Sequence, residues 1–303
     1  MTEPATPVVP PVTVIDAHTH VFSEEVVSGR DRLCGREPWF GHLYENPKAA
    51  LIGAAELLAA MDAAGVGEAI ACGFPWRDLG LCRQENDALA TAARASGGRL
   101  HWLASVPLGG GNTAAREAER TFALGASGLG ELNADGQDFD LLDAASLAPV
   151  VETCVASGRP VMLHASEPVG HVYPGKGAAT PDRLAAFAGA FPDLDIVLAH
   201  WGGGLPFYEL MPEIATACAR VVYDSAASTY LYRPAVFRAV LDVVGPHKVL
   251  WGSDHPVLGM GRFLRRTLAQ AGLRDDELAP VLGGNARRVY RLPGPGETAG
   301  GTT

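Results

Sequence analysis

Short apolar or β-branched runs recur along the chain, each followed by a stretch with helical spacing. The runs are Val12–Asp16, Ala69–Cys72, His101–Val106, Gly128–Leu132, Pro160–His164, Ile196–His200, Val221–Tyr223 and Val249–Trp251. Their centres are continuously apolar, the pattern of strands buried on both faces. The spacing predicts a helix over Ala50–Ala64, with Leu51, Leu57, Leu58 and Met61 on its apolar side and Gly65 as its stop. An alanine-rich helix follows Cys82 as far as Ser96. Asn112 caps a helix ending at Gly125, and Ser146 opens one that stops at Gly158. Thr180-Pro181 supplies a cap and a first-turn proline. Pro234 starts a further helix, and two more begin near Arg262 and Asp275. Residues from about Phe22 to Pro47 read as one long loop.

Strands that alternate with helices impose a parallel sheet. Eight such units in one chain of this length predict a (β/α)8 TIM barrel, a single α/β domain over residues 12–292. Residues 1–11 and the Pro-, Gly- and Thr-rich segment 293–303 read as disordered ends. An open doubly wound sheet would place a glycine-rich dinucleotide turn after the first strand. Asp16-Ala17-His18-Thr19-His20 stands there instead. Gly202-Gly203-Gly204 follows a late strand and lacks the dinucleotide spacing.

Composition narrows the partners. A formal net charge of -10 disfavours nucleic acid and anionic membrane. The Arg265-Arg266 and Arg287-Arg288 pairs read as solvated helix faces. No apolar run approaches the ~18 residues that span a bilayer. The first residues, MTEPATPVVPPV, carry neither the basic nor the apolar segment of a secretory leader. The expectation is a cytoplasmic protein acting on a small molecule, with homo-oligomerisation left open. The five cysteines are odd in number and no pair has CxxC spacing, against a disulfide framework.

Polar residues then stand out at the strand ends. The first strand leads into His18-Thr19-His20, the fourth ends in Glu131, the fifth in His164, the sixth in His200, and the eighth leads to Asp254. A barrel brings these C-terminal ends to one face. Residues two apart on a strand point the same way, so both imidazoles of the His-x-His pair can reach one ion. Imidazole and carboxylate suit a divalent cation, and the absence of Cys from the set fits a catalytic site more than a structural one. The expected ion is Zn²⁺, one or two per chain, with no organic cofactor. Each residue alone has a blander reading, as a hydrogen-bonded rim histidine or a salt-bridged glutamate. Their coincidence at five strand ends favours a metal centre. Trp76, Asn133, Ser166, Trp201 and Arg233 lie near strand ends and are candidates to line the substrate pocket.

The pattern resembles the amidohydrolase superfamily, in its amidohydrolase-related branch. The matching segments are Ile15-Asp16-Ala17-His18-Thr19-His20, Leu163-His164, Leu198-Ala199-His200-Trp201-Gly202-Gly203, Gly252-Ser253-Asp254-His255-Pro256 and Gly283-Gly284-Asn285-Ala286-Arg287-Arg288. The resemblance implies that His18, His20, His164 and Asp254 bind a metal. It implies that His200 binds a second ion or polarises the substrate. Glu131 stands where binuclear members place a bridging group; no lysine is present there, so a carbamate bridge is excluded.

Hydrolysis of a small amide, lactone or ester by metal-activated water is the main expectation, with Asp254 moving the proton and His200 polarising the carbonyl. The alternative is non-oxidative decarboxylation of an aromatic or unsaturated acid, with His200 and Asp254 as the acid-base groups. Glu131 favours hydrolysis if it bridges two ions. Arg36, Arg77, Arg83 and Arg233 could meet a carboxylated substrate in either case. The net acidity argues against a nuclease, and a binding protein on an inactive barrel would have lost ligands that are all present here.

Overall fold

A computed structural model describes residues 12–294. The segments expected to be disordered, 1–11 and 293–303, lie outside the described residues apart from Pro293 and Gly294. Eight parallel strands follow one another in chain order around the sheet. They are β1 (Ile15–His20), β2 (Glu68–Cys72), β3 (Leu100–Ala104), β4 (Gly128–Leu132), β5 (Val161–Leu163), β6 (Ile196–Leu198), β7 (Val221–Asp224) and β8 (Val249–Leu250). Backbone bonds join the last strand to the first: Ala17 N–H donates to Trp251 O (2.9 Å), Asp254 N–H to His18 O (2.9 Å) and His20 N–H to His255 O (2.8 Å). The result is a nearly closed (β/α)8 barrel.

Side-chain alternation sorts the strands into two cores. Outward residues such as Trp102, Leu129, Leu163, Leu198 and Tyr223 pack against the surrounding helices. Inward residues Ile15, Ile70, Leu103, Met162, Val197, Val222 and Leu250 fill the lower lumen, which Ala286, Val289 and Tyr290 stop from below. On β4 the inward place belongs to Gly130. A Cβ there would lie 2.6 Å from Met162 Cβ, and φ is +147°, so only glycine lets the strands approach at this point.

Several boundaries differ from the sequence reading, among them the start of the helix read from Ala50, which begins at Ala54, and three that bear on the site. β1 runs on to His20, so the His-x-His pair is part of the strand. The helix after Asp78 begins at Leu79, because the Asp78 carboxylate accepts from Leu81 N–H (2.9 Å). The supposed long loop holds three short helices, Glu24–Ser28, Arg30–Arg36 and Pro38–Tyr44. None is long enough to establish a period in the sequence. All five cysteines are free thiols. Among the described residues no helix is long and apolar enough to cross a membrane.

Candidate metal centre

The upper lumen is built from the strand ends. His18 and His20 come from β1, and Glu131 from β4. His164 directly follows β5, and Asp254 lies beyond β8. His200 sits in an unusual turn. From His200 to Gly204 every φ is positive, +55° to +98°, a left-handed run. Such a turn costs roughly 1–2 kcal/mol for each non-glycine residue. Gly202, Gly203 and Gly204 make it accessible. A Cβ on Gly203 would stand 2.3 Å from Ser166 O, so this turn also presses against the segment after β5.

The partners of each imidazole determine its tautomer, since a carbonyl or carboxylate can only accept. His18 Nδ1 donates to Asp224 Oδ2 (2.8 Å). His20 Nδ1 donates to Gly73 O (3.2 Å), and His200 Nδ1 to Ala226 O (3.2 Å). His164 is held the other way round, its Nε2 donating to Gly175 O (2.9 Å). In the neutral rings this leaves four bare nitrogens, all turned to the same point. His18 Nε2 and His20 Nε2 face each other at 3.1 Å. Glu131 Oε1 is 3.0 Å from His164 Nδ1 and 3.1 Å from His200 Nε2, while Oε2 is 3.6 Å from both His18 and His20. Asp254 Oδ1 lies 3.3 Å from His20 Nε2 and 3.8 Å from His18 Nε2.

Lone pairs packed against lone pairs and carboxylates repel one another unless positive charge sits among them. The titration directions express the same imbalance. Burial would lower the His200 pKa, but its bond to Glu131 and that carboxylate's charge push it up to about 9. Burial likewise opposes the rise at His18, and Asp224 and Glu131 override it. Glu131 goes well below the usual carboxylate range: its burial is outweighed by His164 and His18. The donor atoms form two triads, His18–His20–Asp254 and Glu131–His164–His200. Buried nitrogen and oxygen donors without sulfur fit a divalent cation of the Zn²⁺ or Mn²⁺ kind.

Asp224 is the residue that sequence reasoning missed. Besides His18, its carboxylate accepts from the backbone N–H of His200 (3.0 Å) and Ala226 (2.9 Å), tying β1, β6 and β7 together. Asp16 plays a similar part below His18. It accepts from Ser253 N–H (2.8 Å) and His18 N–H (3.2 Å), and burial raises its pKa to about 7.

A cavity of about 280 Å³ opens above the centre. Its floor includes His20, Glu131, His164, His200 and Asp254, and its walls include Trp39, Tyr44, Phe74, Tyr173 and Tyr230. Of the residues expected in the pocket, Asn133 lines it, and its Oδ1 also accepts from Gly136 N–H (2.8 Å). The others stand outside the lining. Ser166 is buried behind His164 and accepts from Gly177 N–H (2.9 Å). Trp76 is buried behind Phe74, the ring centroids 4.7 Å apart. Trp201 turns away from the lumen, packs on Phe237 and donates to Ser228 Oγ (2.5 Å). Arg233 is exposed. Arg36 pairs with Asp78 (2.7 Å), Arg77 with Asp138, and Arg83 with Glu117 (3.1 Å). His171 reaches the wall, whereas His101 sits at the opposite end of the barrel on Glu68 (2.7 Å).

Residues 15–292 match the family model described as Amidohydrolase. The 6-methylsalicylic acid decarboxylase of Penicillium expansum is 27% identical over 220 residues, 62% of this chain and 67% of that protein. A 5-carboxyvanillate decarboxylase from Sphingomonas paucimobilis superposes with a TM-score of 0.76 at 22% identity, over 93% of this chain and all (100%) of that one. Another, from Novosphingobium aromaticivorans in complex with manganese and 4-hydroxy-3-methoxy-5-nitrobenzoic acid, gives 0.75 at 19% identity, over 93% and 97%. The expectation of a hydrolase is corrected by these names, which are those of decarboxylases. It rested on Glu131 bridging two ions. A carboxylate whose two oxygens face two donor groups can as well serve a single cation, so its presence does not select hydrolysis.

Proposed function

Given that this chain belongs to the amidohydrolase family, we propose that it is a metal-dependent, non-oxidative decarboxylase of a small aromatic or unsaturated carboxylic acid. One observation carries the reading: four bare imidazole nitrogens and two carboxylates converge on the floor of a pocket whose walls are aromatic rings. The named relative from Penicillium expansum supports it. His18, His20, His164, Glu131 and Asp254 would hold the cation, with His200 beside them. Bound there, a divalent cation supplies the positive charge that anchors an anionic substrate and stabilises charge developing on it.

The remaining work belongs to the chain. Trp39, Tyr44 and Phe74 present faces and edges against which a planar ring packs, placing its carboxylate toward the floor. His200 and Asp254 are the proton-handling groups, one an imidazole and the other a carboxyl, both on the pocket floor. They deliver a proton to the ring carbon that bears the carboxylate. That carbon forms its C–H bond from ring electrons, the C–C bond breaks, its electron pair restores the ring, and CO2 leaves. The apolar walls exclude water, which strengthens each of these electrostatic contacts.

The test is to load the purified protein with Mn²⁺ or Zn²⁺, count metal by elemental mass spectrometry, and follow CO2 release from hydroxylated benzoic acids. Metal-dependent CO2 release is expected, with both metal and activity lost in His18→Ala. Folded, metal-loaded protein that releases no CO2 from any of these acids would overturn the proposal.

A further inference from the structure

Every charged group on the wall of the cavity belongs to its floor. Away from His20, Glu131, His164, His200 and Asp254, the lining is aromatic or aliphatic, its other polar groups being Asn133, His171, the Trp39 indole and the hydroxyls of Tyr44, Tyr173 and Tyr230, none of them a lysine or arginine cation. No lysine or arginine lines it among the described residues. The arginines that loop position alone would offer are held elsewhere. Arg36 and Arg83 are paired with Asp78 and Glu117, Arg77 with Asp138, and Arg233 is exposed outside the lining. Lys176, in the segment that supplies Tyr173, donates to the carbonyls of Val169 (2.6 Å) and His171 (3.2 Å).

We infer that this pocket selects an acid with one carboxylate and an uncharged, apolar ring substituent, and rejects a second carboxylate. The inference rests on the decarboxylase reading for the position of the first carboxylate, over the donor cluster. A second carboxylate on the same ring would then be pressed against Leu43, Phe74 or Leu231. It would lose its water and find no cation in return, the costliest way to bury charge. A methyl group in the same place gains from burial instead. The size of the cavity agrees: at about 280 Å³ it falls just below the range of roughly 300–1,000 Å³ for ligand pockets.

The matched probes are 3-methylsalicylate and 3-carboxysalicylate, alike except that a methyl is replaced by a carboxylate. Binding of each to the Mn²⁺-loaded full-length protein is measured by titration calorimetry, and CO2 release is followed in separate samples. The expected result is tighter binding of the methyl compound by about 100-fold or more, the scale on which an apolar pocket rejects an added polar group. In Tyr230→Arg the ratio should shrink by about tenfold or more, because residue 230 stands at the exposed rim and an arginine there can reach the pocket. Equal binding of the two acids, tighter binding of the dicarboxylate, or no binding of 3-methylsalicylate would each overturn the inference. If the methyl compound binds selectively but no hydroxylated benzoic acid of the wider screen releases CO2, the selectivity stands and the decarboxylase reading falls.

Discussion

The lumen of the barrel holds two layers made by the same eight strands to opposite rules. In the lower layer Ile70, Leu103, Met162, Val197, Val222 and Leu250 interdigitate, dry and uncharged. A few ångströms along the same strands, the upper layer packs four imidazoles and two carboxylates into contact. The backbone differs as well. Around the upper layer His200, Trp201, Ala227 and Asp254 all adopt positive φ, a conformation L-residues seldom take. The lower layer stabilises the fold, and the upper layer draws on that stability to hold like groups together.

Substitutions can break this division. The largest effect is expected for Asp254→Asn, where kcat should fall by about 10²–10⁴-fold, the usual scale for a proton-transfer group. Its urea-unfolding free energy in metal-free protein should stay level or rise, since a crowded charge has gone. A large loss of stability there would erase the distinction between the layers. Met162→Ala is the converse. Deleting a fully buried lumen side chain should cost about 2–5 kcal/mol in the same denaturation experiment, while bound metal per folded chain stays unchanged. Metal lost along with stability would mean the layers are mechanically coupled.

Smaller effects sharpen the comparison. Asp224→Asn touches the upper layer through the His18 ring and the His200 backbone, and should weaken metal affinity by about 10–100-fold in a chelator competition. No change would show that the His18 tautomer is set without it. Smallest of all is Tyr290→Phe at the base of the lower layer. The hydroxyl is buried and has no hydrogen-bond partner among the described residues. Its removal should leave thermal stability unchanged or raise it by up to about 1 kcal/mol; a clear loss would reveal a polar contact at the base.

Much of both layers was legible in the sequence. The lower layer announced itself as short apolar runs, and the strand count followed. The upper layer was visible because histidine and acid at strand ends are costly there without a purpose. Asp224 was not, since a lone aspartate after Val221-Val222-Tyr223 looks like any cap or turn residue. The aromatic wall was hidden for another reason. Trp39 and Tyr44 come from the helix Pro38–Tyr44, two turns long, and their place over the barrel depends on contacts far away in the chain. Trp76 and Trp201 misled in the opposite sense. Proximity to a strand end does not say which way a ring turns, and both rings are buried outside the pocket lining, Trp201 against the outer helices and Trp76 behind Phe74.

The seam between β8 and β1 carries a consequence for how the molecule is made. One edge of the first strand, with the His-x-His pair on it, gains its partners from Trp251, Asp254 and His255, more than two hundred residues later in synthesis. Until the ribosome has delivered them, that edge has open backbone donors and acceptors, the form in which strands recruit neighbouring chains. The metal donors are split across the same seam, His18 and His20 on one side and Asp254 on the other. Joining the seam and assembling the first donor triad are therefore a single late event in the life of the nascent chain.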